Sequence, residues 1–182
     1  KVSALLTVLA IALSVALFLG VDKTRKAARA SFDNTISGTD LVVGAPSGQI
    51  NLLLYSVFRI GNATAEISWG AFEDLQARPD VAWAVPVSLG DSHRGYRVMG
   101  TSQAYFEHYK YGRKQPLTFR DGQRFEDLFD AVIGAEVARK LGYELGTPLI
   151  LTHGLGRGGL SDHDNRPFRV VGILAPTGTP VD

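Results

Sequence analysis

The stretch VSALLTVLAIALSVALFLGV, residues 2–21, decides how the rest of the chain is interpreted. Its twenty residues include no charged side chain. At about 1.5 Å of rise per helical residue, this length matches a bilayer hydrocarbon core of roughly 30 Å. Leucine, isoleucine, valine and phenylalanine fall on every face of the helix, whereas a helix that packs on the surface of a soluble domain keeps a polar face. The stretch therefore predicts a membrane-spanning helix.

A secretory signal peptide is the main alternative for this stretch. The apolar part of a signal spans only about 7–15 residues and ends at a small-residue cleavage site. Here the apolar run leads directly into the basic segment DKTRKAAR, residues 22–29. We expect a permanent anchor whose helix continues as a basic stalk, with side chains that reach lipid phosphates. The predicted division is residues 1–36 for the spanning helix and stalk, and residues 37–182 for a separate domain.

The composition of the chain excludes several classes of function. The net charge is only +1, and no basic stripe interleaved with aromatic residues is present, so we expect no nucleic-acid partner. The chain contains no cysteine, which excludes disulfides, zinc–thiolate sites and thiol catalysis. No G-x-x-x-x-G-K-[ST] loop and no G-x-S-x-G elbow occur in the sequence. We therefore expect no enzyme activity and no cofactor in this chain.

Beyond the stalk, helical and strand periods alternate, which predicts an α+β domain. Ser68 is the expected cap of a helix that stops before Pro79, and Gly142 the expected end of another. We expect a β-hairpin across the turn at residues 90–95, and a glycine-rich loop between the last two strands. The predicted strands are residues 40–45, 81–89, 96–101, 149–154 and 167–174, with a short one before Gly134, and the predicted helices are residues 50–58, 69–78, 103–112 and 135–141.

Histidines near this glycine-rich loop are the candidate metal ligands. His153 and His163 bracket the loop, and Asp162 lies beside the second histidine. Imidazole and carboxylate together are a usable ligand set for zinc. Exposed polar loop residues are the simpler interpretation of the same pattern. His93 and His108 have no partner in the sequence, so we expect them in a turn and on a helix surface.

The order of the segments resembles the amino-terminal part of FtsX-like, MacB-type ABC transporter permeases. Its most specific pieces are AVIGAEVARKLGYELGTPL, residues 131–149, and VVGILAPTGTPVD, residues 170–182. The first is similar to the family's pattern of glycine, helix, leucine-glycine and glycine before a strand. The second is similar to the strand and bend near the end of the extracytoplasmic domain. The resemblance implies one transmembrane helix followed by a mixed α/β extracytoplasmic domain of the MacB periplasmic-core type.

This resemblance also implies a function. Such permeases carry three further spans, which residues 1–182 do not include, so the chain is similar to a fragment of one. They pair as dimers with a cytoplasmic ABC ATPase, on which ATP is hydrolysed. They transmit its motion to a periplasmic protein, lipoprotein, peptide or membrane lipid. The alternative is a singly anchored periplasmic binding or sensor domain, responsive to zinc through its histidines.

The predicted helix at residues 50–58 carries more apolar surface than one core-facing stripe needs. We therefore expect Tyr55, Phe58 and Arg59 to contact a partner or a neighbouring subunit, with ordinary core packing as the alternative.

The charges that flank the span favour a cytoplasmic domain. Four basic residues follow the span and only Lys1 precedes it, and basic residues are enriched on the cytoplasmic side of a membrane. Large domains cross membranes largely regardless of flanking charge. The resemblance implies the bacterial inner membrane, with the domain in the periplasm.

Overall fold

The computed structural model of the chain describes residues 1–61, 65–153 and 167–182. Helix α1, Val2–Thr35, contains 34 residues and continues without a break from the apolar run through the basic segment. Within the described residues it is the one helix long and apolar enough to cross a membrane, and no part of its apolar window is buried. Helix α1 thus extends past the end of the apolar run at Val21 as far as Thr35.

After α1 the chain forms short helices and strands around two small sheets and a two-stranded ribbon. The described elements follow in chain order: α2 (Gln49–Ser56), α3 (Trp69–Gln76), β1 (Val87–His93), β2 (Tyr96–Thr101), α4 (Ala104–His108), β3 (Lys110–Tyr111), β4 (Gln115–Pro116), β5 (Phe119–Gly122), β6 (Asp130–Ile133), α5 (Ala135–Leu141), β7 (Pro148–Leu149), β8 (Thr152–His153) and β9 (Phe168–Leu174).

The first sheet has the strand order β2-β1-β8, with antiparallel pairing throughout. The β1–β2 hairpin closes through Arg94 and Gly95, both at positive φ, which is the backbone that a two-residue hairpin turn requires. The second sheet centres on β9, which pairs with β5 and β7 antiparallel and with β6 parallel. Strands β3 and β4 form the separate ribbon. The mixed helix-and-strand fold confirms the predicted class.

Two apolar clusters form the core. The first joins β6, α5, β7 and β9 through Ile133, Ala138, Leu149, Val170 and Ile173. The second is more aromatic and lies where α4 packs against the chain end and β9, with Tyr105, Leu117 and Leu174 at its centre. Val181 packs against this second cluster. The aromatic cluster also reaches the end of α1, because Tyr109, which packs against it, bonds to Thr35.

Several local predictions are confirmed. The hydroxyl oxygen of Ser68 accepts a hydrogen bond from Ala71 N at 3.2 Å and caps α3. Gly142 ends α5 in the left-handed conformation, at φ 67°. Residues 96–101 form strand β2, and α2 begins one residue before its predicted start. These features depend on neighbours along the chain, which is why the sequence pattern identifies them.

Two predicted strands are wrong. Residues 40–45 form no strand, and Leu41 is largely exposed there, because this extended segment finds no strand partner among the described residues. The predicted strand at residues 81–89 begins only at Val87. Pro86 has no N–H for a ladder hydrogen bond, which accounts for the late start. Alternating apolar residues alone did not distinguish an extended segment from a paired strand.

Two further boundaries differ from the prediction. The helix expected to reach Gly112 ends at His108, and the chain turns into β3, because Tyr109 adopts an extended conformation. The strand expected at residues 149–154 is split between the two sheets, and only its first part pairs with the strand expected after the glycine-rich loop. Leu149 pairs with Phe168 in the second sheet, whereas Thr152 pairs with Ser92 in the first. The chain thus crosses from one sheet to the other between residues 149 and 152.

Candidate functional site

The junction between α1 and the domain is the candidate functional site. A helix leaves its last backbone carbonyls without partners inside the helix. Here the domain supplies hydrogen-bond donors for two of these carbonyls. Gly112 N donates to Asn34 O at 2.8 Å, and the Tyr109 hydroxyl donates to Thr35 O at 2.6 Å. Just past the helix, Ser37 N donates to Lys110 O at 2.9 Å. The end of α1 is therefore capped by the domain itself.

The Tyr109 side chain is largely shielded from solvent in this junction. Its ring stacks on Tyr105 with centroids 4.8 Å apart, and Thr35 beneath it is only 4% exposed. Burial raises the pKa of the Tyr109 hydroxyl, and the neighbouring Thr179 and the charge of Arg59 oppose this rise only in part. The hydroxyl therefore stays protonated and remains a donor to the helix carbonyl.

A second contact joins α1 to the segment that follows α2. The rings of Phe32 and Phe58 lie 6.4 Å apart in a tilted arrangement. Arg59, the next residue, has a positive φ of 60°, which is uncommon for a residue with a side chain. The end of the α2 segment is thus held beside the stalk.

Arg59 points inward rather than toward solvent. Its Nη1 and the Tyr105 hydroxyl are both buried, and neither has a hydrogen-bond partner of good geometry among the described residues. Burial raises the pKa of Tyr105, although the charge and weak hydrogen bonding of Arg59 oppose the rise. The two groups are therefore close enough to interact electrostatically without a well-formed hydrogen bond. Arg59 places a positive charge next to the stacked pair Tyr105 and Tyr109, of which Tyr109 caps α1.

Tyr55, the remaining interface candidate, also has contacts within the chain. Its hydroxyl donates to Leu89 O in β1, and the Arg97 guanidinium lies over its ring at 5.6 Å. Tyr55, Phe58 and Arg59 are all half-buried. The interface prediction for these three residues stays a prediction. The most exposed apolar side chains of α2 are instead Ile50, at 74%, and Leu53, at 37%.

The metal candidates lie at the edge of the described structure. His153 ends β8, where its backbone is paired with that of Asp91 in β1, whereas Asp162 and His163 lie outside the described residues. Among the described residues, no group of three or more histidine, aspartate or glutamate side chains is placed to hold a metal ion. The zinc site stays a prediction.

His93 and His108 have partners that the sequence did not reveal. His93 lies in β1, where its Nδ1 contacts Ile150 O at 2.7 Å and its Nε2 contacts the Tyr143 hydroxyl at 2.8 Å. Because a carbonyl only accepts, Nδ1 carries the proton. His108 stacks on Trp83 at 4.7 Å. The predicted turn position of His93 is therefore wrong, and its ring links β1 to the segment after α5.

Helix α1 and the domain that caps it are typical of one class of protein. Among the described residues, one long helix with a fully exposed apolar stretch leads into a mixed α/β domain, which caps the end of the helix. This is the architecture of a domain anchored in a membrane by its amino-terminal helix. The chain belongs to the family of MacB-like periplasmic core domains, because the model of that family matches residues 4–182. No curated protein and no solved structure matches the chain.

Membership of this family agrees with the recognised motifs and with the predicted fold. It identifies an ABC transporter permease-type protein anchored by an amino-terminal transmembrane helix. The family is a component of transporter permeases, which act with an ABC ATPase. The sequence signal that marked the junction was the unbroken helical run through residues 22–35. The capping residues Tyr109 and Gly112 gave no such signal, because they are distant in sequence and act only through the folded structure.

Proposed function

We propose that this chain is the part of an ABC transporter permease that carries ATPase-driven motion across the membrane to a periplasmic domain. The ATP is hydrolysed on a separate cytoplasmic subunit, and the permease works as a dimer. The observation that carries the proposal is the capped junction, where two terminal carbonyls of α1 bond to Tyr109 and Gly112. A continuous helix that is fixed at its end transmits rotation and tilt as a rigid lever.

In this proposal the motion reaches a periplasmic protein, lipoprotein or lipid substrate that contacts the domain. The segment at Phe58 supports this role because it touches α1 directly at Phe32. A displacement of the stalk would shift this segment and the exposed apolar side chains of α2. Tyr55, Phe58 and Arg59 remain the candidate contact residues, together with Ile50 and Leu53 on the outer face. The proposed location is the bacterial inner membrane, with this domain in the periplasm.

The test uses the full-length permease with its ABC ATPase in native membranes. Spin labels at Gln76→Cys in the two copies of a dimer report the separation of the domains, after any cysteine outside residues 1–182 and in the ATPase has been replaced; residues 1–182 contain none. We expect ATP with vanadate to shift the distance between labels. Two glycines inserted between Ala30 and Ser31 should abolish the shift while ATP hydrolysis continues. A full shift in the insertion variant would show that α1 is not the lever.

A second candidate function is metal sensing by a singly anchored domain. One observation favours it, because the strand register places the backbone of His153 opposite Asp91, so two potential zinc ligands lie at neighbouring positions. Calorimetric titration of the whole chain with zinc tests this function. Saturable binding that is lost in His153→Ala and His163→Ala, but kept in the matched His108→Ala, would support it. Absence of saturable binding would exclude it.

A further inference from the structure

The turn between β3 and β4 carries two basic side chains beside the membrane helix. Arg113 and Lys114 form this turn with Gly112, and both are exposed. Neither makes an ion pair with another described residue, whereas Arg120 and Arg124 are paired with Asp121 and Glu107. The two positive charges of the turn are therefore left for a partner outside the described chain.

The direction of β3 places this turn on the bilayer side of the junction. Lys110 bonds to Ser37, beyond the end of α1, whereas Gly112, two residues later, bonds to Asn34 inside the helix. Strand β3 therefore runs against α1, back toward the membrane. Arg113 and Lys114 follow at the tip, so they lie nearer to the bilayer than any other part of the ribbon.

The distances along α1 bring the tip within electrostatic range of the lipid headgroups. Asn34 lies about 18 Å along the helix axis from Asp22, where the apolar run ends. The headgroup layer covers about the first 5–7 Å of that length. The turn and the long arginine and lysine side chains span part of the remainder, and an anionic surface attracts cations over about 8 Å at physiological salt.

We propose that Arg113 and Lys114 bind the anionic phospholipid headgroups of the membrane that holds α1. This inference rests on the proposed membrane insertion of α1. Charge complementarity favours a phospholipid surface, and Arg25 and Arg29 of the stalk, which are also exposed and unpaired within the described residues, add to the positive charge near it. The turn gives the domain a second attachment to the bilayer, which fixes its orientation about the axis of α1.

The experiment measures how close the turn lies to lipid headgroups. The whole chain is placed in nanodiscs of phosphatidylcholine, with or without phosphatidylglycerol, and Gln115→Cys beside the turn carries a fluorophore. Headgroup-labelled lipid serves as the quencher. Since each basic residue near an anionic surface favours the bound state by about fivefold, quenching should be clearly stronger with phosphatidylglycerol. The variant Arg113→Gln with Lys114→Gln should lose this increase.

A matched variant and a second probe separate the outcomes. Arg120→Gln with Arg124→Gln removes the same charge elsewhere on the domain and should keep the increase. An equal response to both lipid mixtures in the unmutated turn, or an equal loss in both charge variants, would overturn the inference. A fluorophore at Ala10→Cys, quenched by acyl-chain-labelled lipid, reports insertion of α1. Quenching at Ala10 without any at Gln115 refutes the turn contact alone, whereas no quenching at Ala10 refutes the insertion itself.

Discussion

Tyr109 joins three parts of the molecule through one side chain. Its hydroxyl caps Thr35 of α1, its ring stacks on Tyr105 of α4, and Thr179 near the chain end lies beside it. Because the surroundings are buried, a carbonyl that lost this donor would have no water to replace it. The stability of the junction therefore depends on the hydroxyl as well as on the ring.

The variant Tyr109→Phe keeps the ring and removes the hydroxyl. We expect a loss of about 1–2 kcal/mol in the free energy of unfolding, because a buried carbonyl is left without a donor. Urea unfolding of the whole chain in detergent measures the change. Tyr111→Phe, in the same ribbon and half-buried, is the matched control and should change stability little. Equal stability of Tyr109→Phe and the unmutated chain would mean that the cap contributes nothing.

Glu136 gives a pH-dependent prediction. Hydrogen bonds from Arg139 and Lys140 lower the pKa of Glu136 from its usual 4.5 to about 2. Because the pKa is lowered in the folded state, the stabilisation from this carboxylate is complete above pH 4.5 and is lost as the pH falls toward 2. Carbon-13 NMR of the side-chain carboxyl measures the midpoint. Arg139→Ala should raise it, and a midpoint of 4.5 in the unmutated chain would contradict the ion-paired geometry.

At the scale of single residues, the sequence identified those whose role is local. Ser68 and Gly142 were predicted as caps because each acts on its own helix. His93 was misplaced because its partners, Ile150 and Tyr143, lie 57 and 50 positions away in the chain. Tyr109 was missed as a capping residue for the same reason. One sequence carries no direct signal for a pair of residues that meet only after folding.

Strand β9 is the element that organises the second sheet, and Gly172 within it allows close packing against the β5 segment. A Cβ at Gly172 would collide with the Gln123 carbonyl oxygen and lie 2.9 Å from the Phe119 ring. The variant Gly172→Ala should therefore lower the free energy of unfolding by about 1–3 kcal/mol. Gly70→Ala in α3 is the matched control, because nothing lies within 4 Å of its Cβ.

Thermal unfolding of both alanine variants compares them directly. Gly70→Ala should keep or raise the melting temperature, since alanine suits a helix better than glycine by about 0.5–1 kcal/mol. A melting temperature for Gly172→Ala equal to that of the unmutated chain would show that β5 and β9 are not packed as closely as described. Both glycines look alike in the sequence, and only the neighbouring backbone distinguishes them.

The long apolar helix and the hairpin of neighbouring strands were predicted from local pattern, whereas strand boundaries and pairings that need a distant partner were not. The helix α1 and the hairpin β1–β2 follow from their own residues. The segment at residues 40–45 has a strand-like composition but no partner strand among the described residues. Strands β7 and β8 belong to different sheets because their register is set by β9 and β1. Pairing is a property of two segments, and a local pattern describes only one of them.

For the whole molecule, family membership and the apolar helix indicate a membrane anchor, while the side of the membrane is a proposal. We expect protease added outside intact spheroplasts to digest residues beyond the stalk. A cytoplasmic marker protein must remain intact in the same sample as the control. Protection of the domain until the cells are lysed would place it in the cytoplasm, as the basic residues after the span would suggest by themselves.

The proposed function requires that α1 and the domain move as one rigid body, and a distance distribution across the junction measures whether they do. Spin labels at Ala28→Cys on α1 and Lys140→Cys on α5 are measured by pulsed electron paramagnetic resonance, with the whole chain in nanodiscs. We predict one narrow distance distribution, which broadens in the Tyr109→Phe variant. A broad distribution in the unmutated chain, unchanged by Tyr109→Phe, would contradict a rigid junction.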